Sequence, residues 1–97
     1  MTPETKILKE IINYLKSMKS RGQPIWWLKL SAGPFQRRGV PDLLVIFDER
    51  PFFFEIKAEG GRLTPLQAHV IQQLRQANAV AGIARSVKDV KRALMLD

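Results

Sequence analysis

Two short apolar runs, Leu43-Leu44-Val45-Ile46-Phe47 and Pro51-Phe52-Phe53-Phe54, face each other across the polar break Asp48-Glu49-Arg50. β-Branched and aromatic side chains over this length read as strands, and so short a break between them reads as a hairpin. A two-residue loop at Asp48-Glu49 pairs Phe47 with Arg50, and stepping outward from that pair sets Asp42 opposite Glu55. A four-residue loop from Phe47 to Arg50 keeps the same register. Asp-Glu is a poor dipeptide for the primed turns that hairpins prefer, and a one-residue bulge would shift every pair. Both faces of the hairpin carry apolar side chains, so both are expected to be buried.

The strand that follows the turn ends in Phe54-Glu55-Ile56-Lys57. Side chains alternate along a strand, so Glu55 and Lys57 share one face, about 7 Å apart by the rise per residue, while Phe54 and Ile56 share the other. With Asp42 across from Glu55, two carboxylates oppose each other, an arrangement that repels and weakens a sheet. A divalent cation turns that repulsion into ligation, and hard oxygen donors suit magnesium or manganese. The bland alternative is a turn acid beside Pro41 and a solvated, salt-bridged Glu-x-Lys face. The cost of unpaired charge among so many apolar residues favours the metal-site reading.

At 97 residues the chain has room for one domain, spanning 1–97, which at this size buries about 60 to 65% of its unfolded surface. It has no cysteine, so any metal is held by oxygen rather than by thiolate. No apolar run approaches a membrane-spanning length and the beginning of the chain has no signal-peptide core, so the expected location is the cytoplasm. Lysine and arginine number 16 against 9 acids, a net charge of +7. Three of those acids fall in the expected site, which leaves the remaining surface strongly basic. Such a field attracts polyanions, nucleic acid first among them; solubility alone is the competing explanation.

Along the chain, Thr2-Pro3-Glu4 is a helix start: a capping hydroxyl, a first-turn proline and an acid at the positive end of the dipole. Ile7, Leu8, Ile11, Ile12 and Leu15 follow at helical period, predicting a helix from Pro3 to Ser20 that stops before Gly22 and Pro24. Ile25 to Leu30 reads as a strand whose two tryptophans belong to the core or an interface rather than to a base-stacking platform. Ser31 to Val40 reads as a loop, with Gly33-Pro34 and Gly39 as breakers, and it carries Arg37-Arg38 just before Asp42.

Past the hairpin, Glu59-Gly60-Gly61-Arg62 is a connector, and Thr64-Pro65-Leu66-Gln67 is a capping box that opens a second helix. Leu66, Val70, Ile71, Leu74 and Ala77 form its apolar stripe and Asn78 is a left-handed stop. By this reading Gln67 is a cap, and His69, without a second histidine, sits on the helix surface. Ala79 to Arg85 reads as a fourth strand, and Ser86-Val87-Lys88-Asp89 as another capping box before a last helix with Val90, Ala93 and Leu94.

Taken together, Arg38-Gly39-Val40-Pro41-Asp42-Leu43-Leu44, Phe54-Glu55-Ile56-Lys57-Ala58, Gly61-Arg62-Leu63-Thr64 with Gln67, and Ala84-Arg85-Ser86 resemble the PD-(D/E)XK nuclease superfamily. Within it the chain is similar to the virus-type replication-repair nuclease domain, VRR-NUC, over nearly its whole length. The resemblance implies an α/β fold of order αβββαβα, a restriction-endonuclease-like core with a central mixed four-stranded sheet flanked by helices. It also implies divalent-metal dependence and cleavage of DNA phosphodiesters in branched structures. By position, Asp42 and Glu55 match the metal-binding acids, Lys57 the motif lysine, Gln67 the helix glutamine and Glu4 the acid of the first helix. Glu10, one helix face away, is a weaker match for that last role. Asn78 departs from the pattern by standing where the family often has glycine. Accessory domains like those that recruit larger relatives to junctions are not expected, which would leave substrate choice to the nuclease domain alone.

The expectation is a magnesium- or manganese-dependent endodeoxyribonuclease acting on branched DNA such as a four-way junction. Lys29, Arg37, Arg38 and Arg62 contact DNA in this reading. The enzyme is expected to be a homodimer, because symmetric cutting of a four-way junction needs two sites. The alternative from a different class is a non-catalytic basic DNA-binding module in which the acids only pair with neighbouring cations; it binds in a salt-sensitive way and needs no metal.

Overall fold

The computed structural model describes residues 1–31 and 37–95. Helix α1 (Pro3–Ser20) leads into strands β1 (Ile25–Lys29), β2 (Leu43–Phe47) and β3 (Arg50–Ile56). Helix α2 (Pro65–Gln76), strand β4 (Val80–Ala84) and helix α3 (Val87–Met95) follow. The four strands form one sheet in the order β1-β2-β3-β4. The first three are antiparallel neighbours, and β4 runs parallel to β3 through the α2 crossover. This is the αβββαβα order and mixed sheet that the sequence predicts. The expected breakers Gly33 and Pro34 lie outside the described residues.

The hairpin takes the expected register, from Phe47 opposite Arg50 out to Leu43 opposite Phe54. Asp48 (φ 53°) and Glu49 (φ 64°) both adopt positive φ, the signature of a type I′ turn. The turn is therefore two residues long with no bulge, although neither residue is the asparagine or glycine that suits it.

One face of the sheet is the core. Leu43, Val45, Phe52, Phe54, Ile56 and Ala84 point onto Leu8, Ile11, Leu15 and Met18 of α1 and onto Val90 and Leu94 of α3. Thr2 caps α1 by accepting from Thr5 N at 3.1 Å, which fixes where that helix begins and hence where Glu4 stands. The other face is covered only in part. Helix α2 packs on β4 and buries Ile71 alone of its apolar stripe, leaving Leu66 exposed. Over β1 and β2 that face is bare: Trp26, Leu28 and Ile46 are 49%, 46% and 40% exposed. The expectation that both faces of the hairpin are buried is therefore met only at Glu55 in β3, with Pro51 and Phe53 half-buried, and fails at Ile46 in β2, because a helix of this length spans only part of the sheet. The two tryptophans divide accordingly, Trp27 packing on the core and Trp26 facing outward.

The remaining boundaries agree closely with the sequence. Thr64 accepts from Gln67 N at 3.1 Å and Gln67 Oε1 accepts from Thr64 N at 3.0 Å, completing the capping box of α2. Asn78 stands at φ 70°, the left-handed stop. At the start of α3 the expected box differs. Asp89 N donates to Ser86 Oγ at 3.4 Å, but Asp89 Oδ2 accepts from Arg85 N at 2.8 Å, one residue before the position a capping box uses.

Candidate active site

Asp42 and Glu55 flank the end of the β2–β3 ladder, one step beyond the Leu43–Phe54 pair. Pro41 is fully buried and pins the chain entering β2. From there the Asp42 side chain reaches across, and its Oδ2 accepts from Ile56 N at 2.8 Å. Glu55 is 4% exposed, the one charged residue among the buried described residues. Burial first, and then the adjacent Asp42 carboxylate, push its pKa up to about 8, with Lys57 pulling the other way. Two carboxylates in hydrogen-bond reach share either a proton or a cation.

The surroundings of Glu55 bear on which of the two it is. Its Oε2 meets Gln67 Nε2 at 3.4 Å and Lys57 Nζ at 3.8 Å. Its Oε1 is buried without a hydrogen-bond partner. An orphaned acceptor at this depth is costly, and a hard cation between the two acids satisfies it with the donors such ions prefer. The Asp42–Glu55 pair thus fits a divalent metal.

Gln67 serves the helix cap and the site at once. Thr64 N can only donate, so the atom facing it at 3.0 Å is the amide oxygen, and Nε2 is thereby aimed at Glu55. The reading of this residue as a cap alone is too narrow, since one side-chain amide makes both contacts.

Glu4, expected as a third oxygen donor, lies on the Asp42 side of the pair. It lines a depression of about 210 Å³ together with Thr5, Leu8, Lys29, Ser31, Asp42 and Ile56, on the α1 side of the sheet. Its Oε2 accepts from Ala58 N at 3.0 Å. Among the described residues no three carboxylates, imidazoles or thiolates gather at metal-binding spacing. Glu10 is exposed on the helix, and His69 is exposed on α2, as expected of surface residues.

The expected DNA-contacting cations are all exposed residues. Lys29, at the end of β1, lines the depression beside Asp42. Arg37 and Arg38 are exposed on the segment before Gly39, and Arg62 is exposed between the β3 exit and α2. Arg85 has a place that its position in the sequence did not suggest. Its Nη1 donates to Ala58 O at 2.7 Å, on the same residue whose amide Glu4 holds. The sequence marked it only as part of the Ala84-Arg85-Ser86 string at the end of the fourth strand, without a partner.

Comparison with known proteins identifies the fold and the family. No curated protein is significantly similar to the chain. Among solved structures it is similar to a chain described as a VRR_NUC domain, with 26% identity and a TM-score of 0.75 over 95% of this chain and 94% of the other. A second, described as a VRR_NUC domain protein, is 22% identical with a TM-score of 0.73, covering 99% of this chain and 90% of its own, a likeness of fold. The family model for the VRR-NUC domain matches residues 33–88, a stretch that contains Asp42, Glu55, Lys57 and Gln67. The chain therefore belongs to the VRR-NUC family, a nuclease-type DNA-processing domain for which a divalent metal is the implied cofactor.

Proposed function

We propose that the protein is a magnesium- or manganese-dependent endodeoxyribonuclease that cuts branched DNA, four-way junctions in particular. The observation that carries this reading is the buried Asp42–Glu55 pair with its orphaned Glu55 oxygen, a site that asks for a cation and sits on a chain of net charge +7.

Asp42 and Glu55 hold the metal. When bound, it supplies Lewis acidity toward a phosphoryl oxygen and eases deprotonation of a water. Lys57, whose ammonium lies 3.8 Å from Glu55, orients the attacking water and balances negative charge that builds on the phosphoryl oxygens. Gln67 keeps the Glu55 carboxylate from rotating, through its amide nitrogen at 3.4 Å. Lys29, Arg37, Arg38 and Arg62 grip backbone phosphates and set the register of the duplex arms. Glu4 supports the site from behind through the Ala58 amide.

The functional unit in this reading is a homodimer, since two sites are needed to cut a four-way junction symmetrically. The bare outer face of β1 and β2 supports that assembly: Trp26, Leu28 and Ile46 lie on it side by side across the two strands. An exposed aromatic and aliphatic surface of this kind marks an interface.

The test is cleavage of linear duplex and four-way-junction DNA with magnesium, with manganese and with chelator. Metal-dependent cutting of the junction in preference to the linear duplex supports the proposal. Salt-sensitive binding without cutting under any metal identifies a basic DNA-binding module instead.

A further inference from the structure

The residue after Lys57 is held from three directions. Ala58 N donates to Glu4 Oε2 at 3.0 Å. Ala58 O accepts from Arg85 Nη1 at 2.7 Å and from Gly61 N at 3.0 Å. Immediately before it, Lys57 N donates to Ala84 O at 3.2 Å, extending the β3–β4 pairing by one bond. Arg85 is itself anchored, because its backbone N–H donates to Asp89 Oδ2 at 2.8 Å at the start of α3.

We propose that Arg85 is a positioning residue for the nuclease site: with Glu4 it clamps Ala58 at the point where β3 leaves the sheet, and so sets the direction from which Lys57 enters. The inference rests on the nuclease reading above and adds a residue to it.

The chemistry of the contact fits a positioning role better than a phosphate contact. Arg85 is partly buried, and one arm of its guanidinium is committed to a backbone carbonyl. A charge-assisted hydrogen bond of this length is among the stronger ones a side chain makes to backbone. It spans from β4 to the segment beyond β3, so it resists the outward swing of the strand end that would carry Lys57 away from Glu55. Gly61 closes the other side: a Cβ there would come within 3.1 Å of Ala58 O and 3.4 Å of Lys57 Cβ, so the turn packs directly on the lysine stem. The Lys57 side chain is left only 18% exposed.

The experiment compares wild type with R85A and R85K, measuring cleavage of junction DNA with magnesium and amide hydrogen exchange in the metal-free protein. R85A is expected to lower kcat by roughly 10- to 100-fold, the scale of a misplacement near 1 Å, with KM for DNA within about twofold. R85K, which keeps one donor on a long stem, recovers a large part of that loss. Exchange at Ala58 and Gly61 speeds up in R85A while exchange within β2 is unchanged. A raised KM with unaltered kcat and a shallower salt dependence would assign Arg85 to a DNA phosphate and overturn the proposal. Unaltered kcat and unaltered exchange would overturn it as well. Should R85A fail to fold, R85Q, with a shorter neutral donor, carries the same two comparisons. If wild type itself does not cut DNA, the nuclease reading fails, and the exchange arm still decides whether Arg85 holds Ala58.

Discussion

Gln67 and Glu55 are joined through a helix cap: the amide whose oxygen receives Thr64 N at 3.0 Å turns its nitrogen toward Glu55 Oε2 at 3.4 Å. Helix initiation and carboxylate orientation therefore depend on one side chain. Removing it by Gln67→Ala is expected to cost about 1 kcal/mol of stability and to lower kcat by roughly tenfold, because Glu55 loses a fixed donor. Thr64→Ala makes the useful contrast. It removes the hydroxyl cap at a cost of about 1 kcal/mol but keeps the Thr64 N–H that orients Gln67, so cleavage is retained. Equal losses of activity in the two variants, at matched temperature below both midpoints, would argue that the cap alone matters.

Glu55→Gln separates stability from activity. The folded carboxyl has its pKa raised to about 8 from an ordinary value of 4.5. Between those values the folded state holds a proton that the unfolded state has released. Unfolding free energy therefore falls as pH rises through this window and levels off above it. The amide variant escapes that loss. In metal-free protein E55Q should match wild type near pH 4 and exceed it by on the order of 5 kcal/mol near pH 9, while cleavage disappears. Urea unfolding at the two pH values checks the first half, and the junction assay the second.

Metal binding should release protons. Below pH 8 the proton on Glu55 has to leave before the carboxylate becomes a ligand, so magnesium affinity rises with pH until about 8 and then flattens. Calorimetric titrations in buffers of different ionisation enthalpy measure the count directly. About one proton per metal near pH 6.5 and none near pH 9.5 is the expected result. No release at either pH would mean that the ion does not bind at Glu55.

The hairpin tip offers a stabilising change with no catalytic effect. Asp48 and Glu49 hold φ of 53° and 64°, a region that costs ordinary residues energy. An asparagine followed by a glycine, as in the double variant D48N/E49G, suits a type I′ turn and should raise stability by about 1 kcal/mol. The chemical denaturation midpoint reports the gain, and kcat on junction DNA should stay at the wild-type value.

Gly39 is constrained twice. It stands at φ +82°, and a Cβ on it would lie 2.7 Å from Leu66 Cγ. Gly39→Ala is expected to cost about 1 to 3 kcal/mol and to displace the segment that carries Arg38 into β2. G39A/L66A relieves the contact and leaves the backbone strain, so it should recover only part of the stability. Thermal unfolding of the three variants measures both contributions.

Much of this architecture was legible in the residues because it depends on local periods. The Asp42–Glu55 register followed from two apolar runs and a short break, and the α2 cap from Thr64, Pro65 and Gln67. What was not legible depends on contacts between distant elements. Nothing in Glu4 itself says that its carboxylate meets an amide 54 positions away. Arg85 could be placed at a strand end but not assigned Ala58 as its partner. The bare face of Trp26, Leu28 and Ile46 escaped notice for a related reason: an alternating pattern identifies the sides of a strand, while coverage depends on how far a neighbouring helix extends. The Asp89 side chain shows the same limit on a small scale, since a box-like spacing does not decide which of two adjacent amides it takes.

Because both acids belong to a single hairpin, the spacing of the reaction centre is inherited from a turn at its far end. A residue inserted at that tip leaves the acids opposed if the turn lengthens to take it up, but carries one of them to the wrong side of the sheet if the two-residue turn re-forms and a strand slides by one.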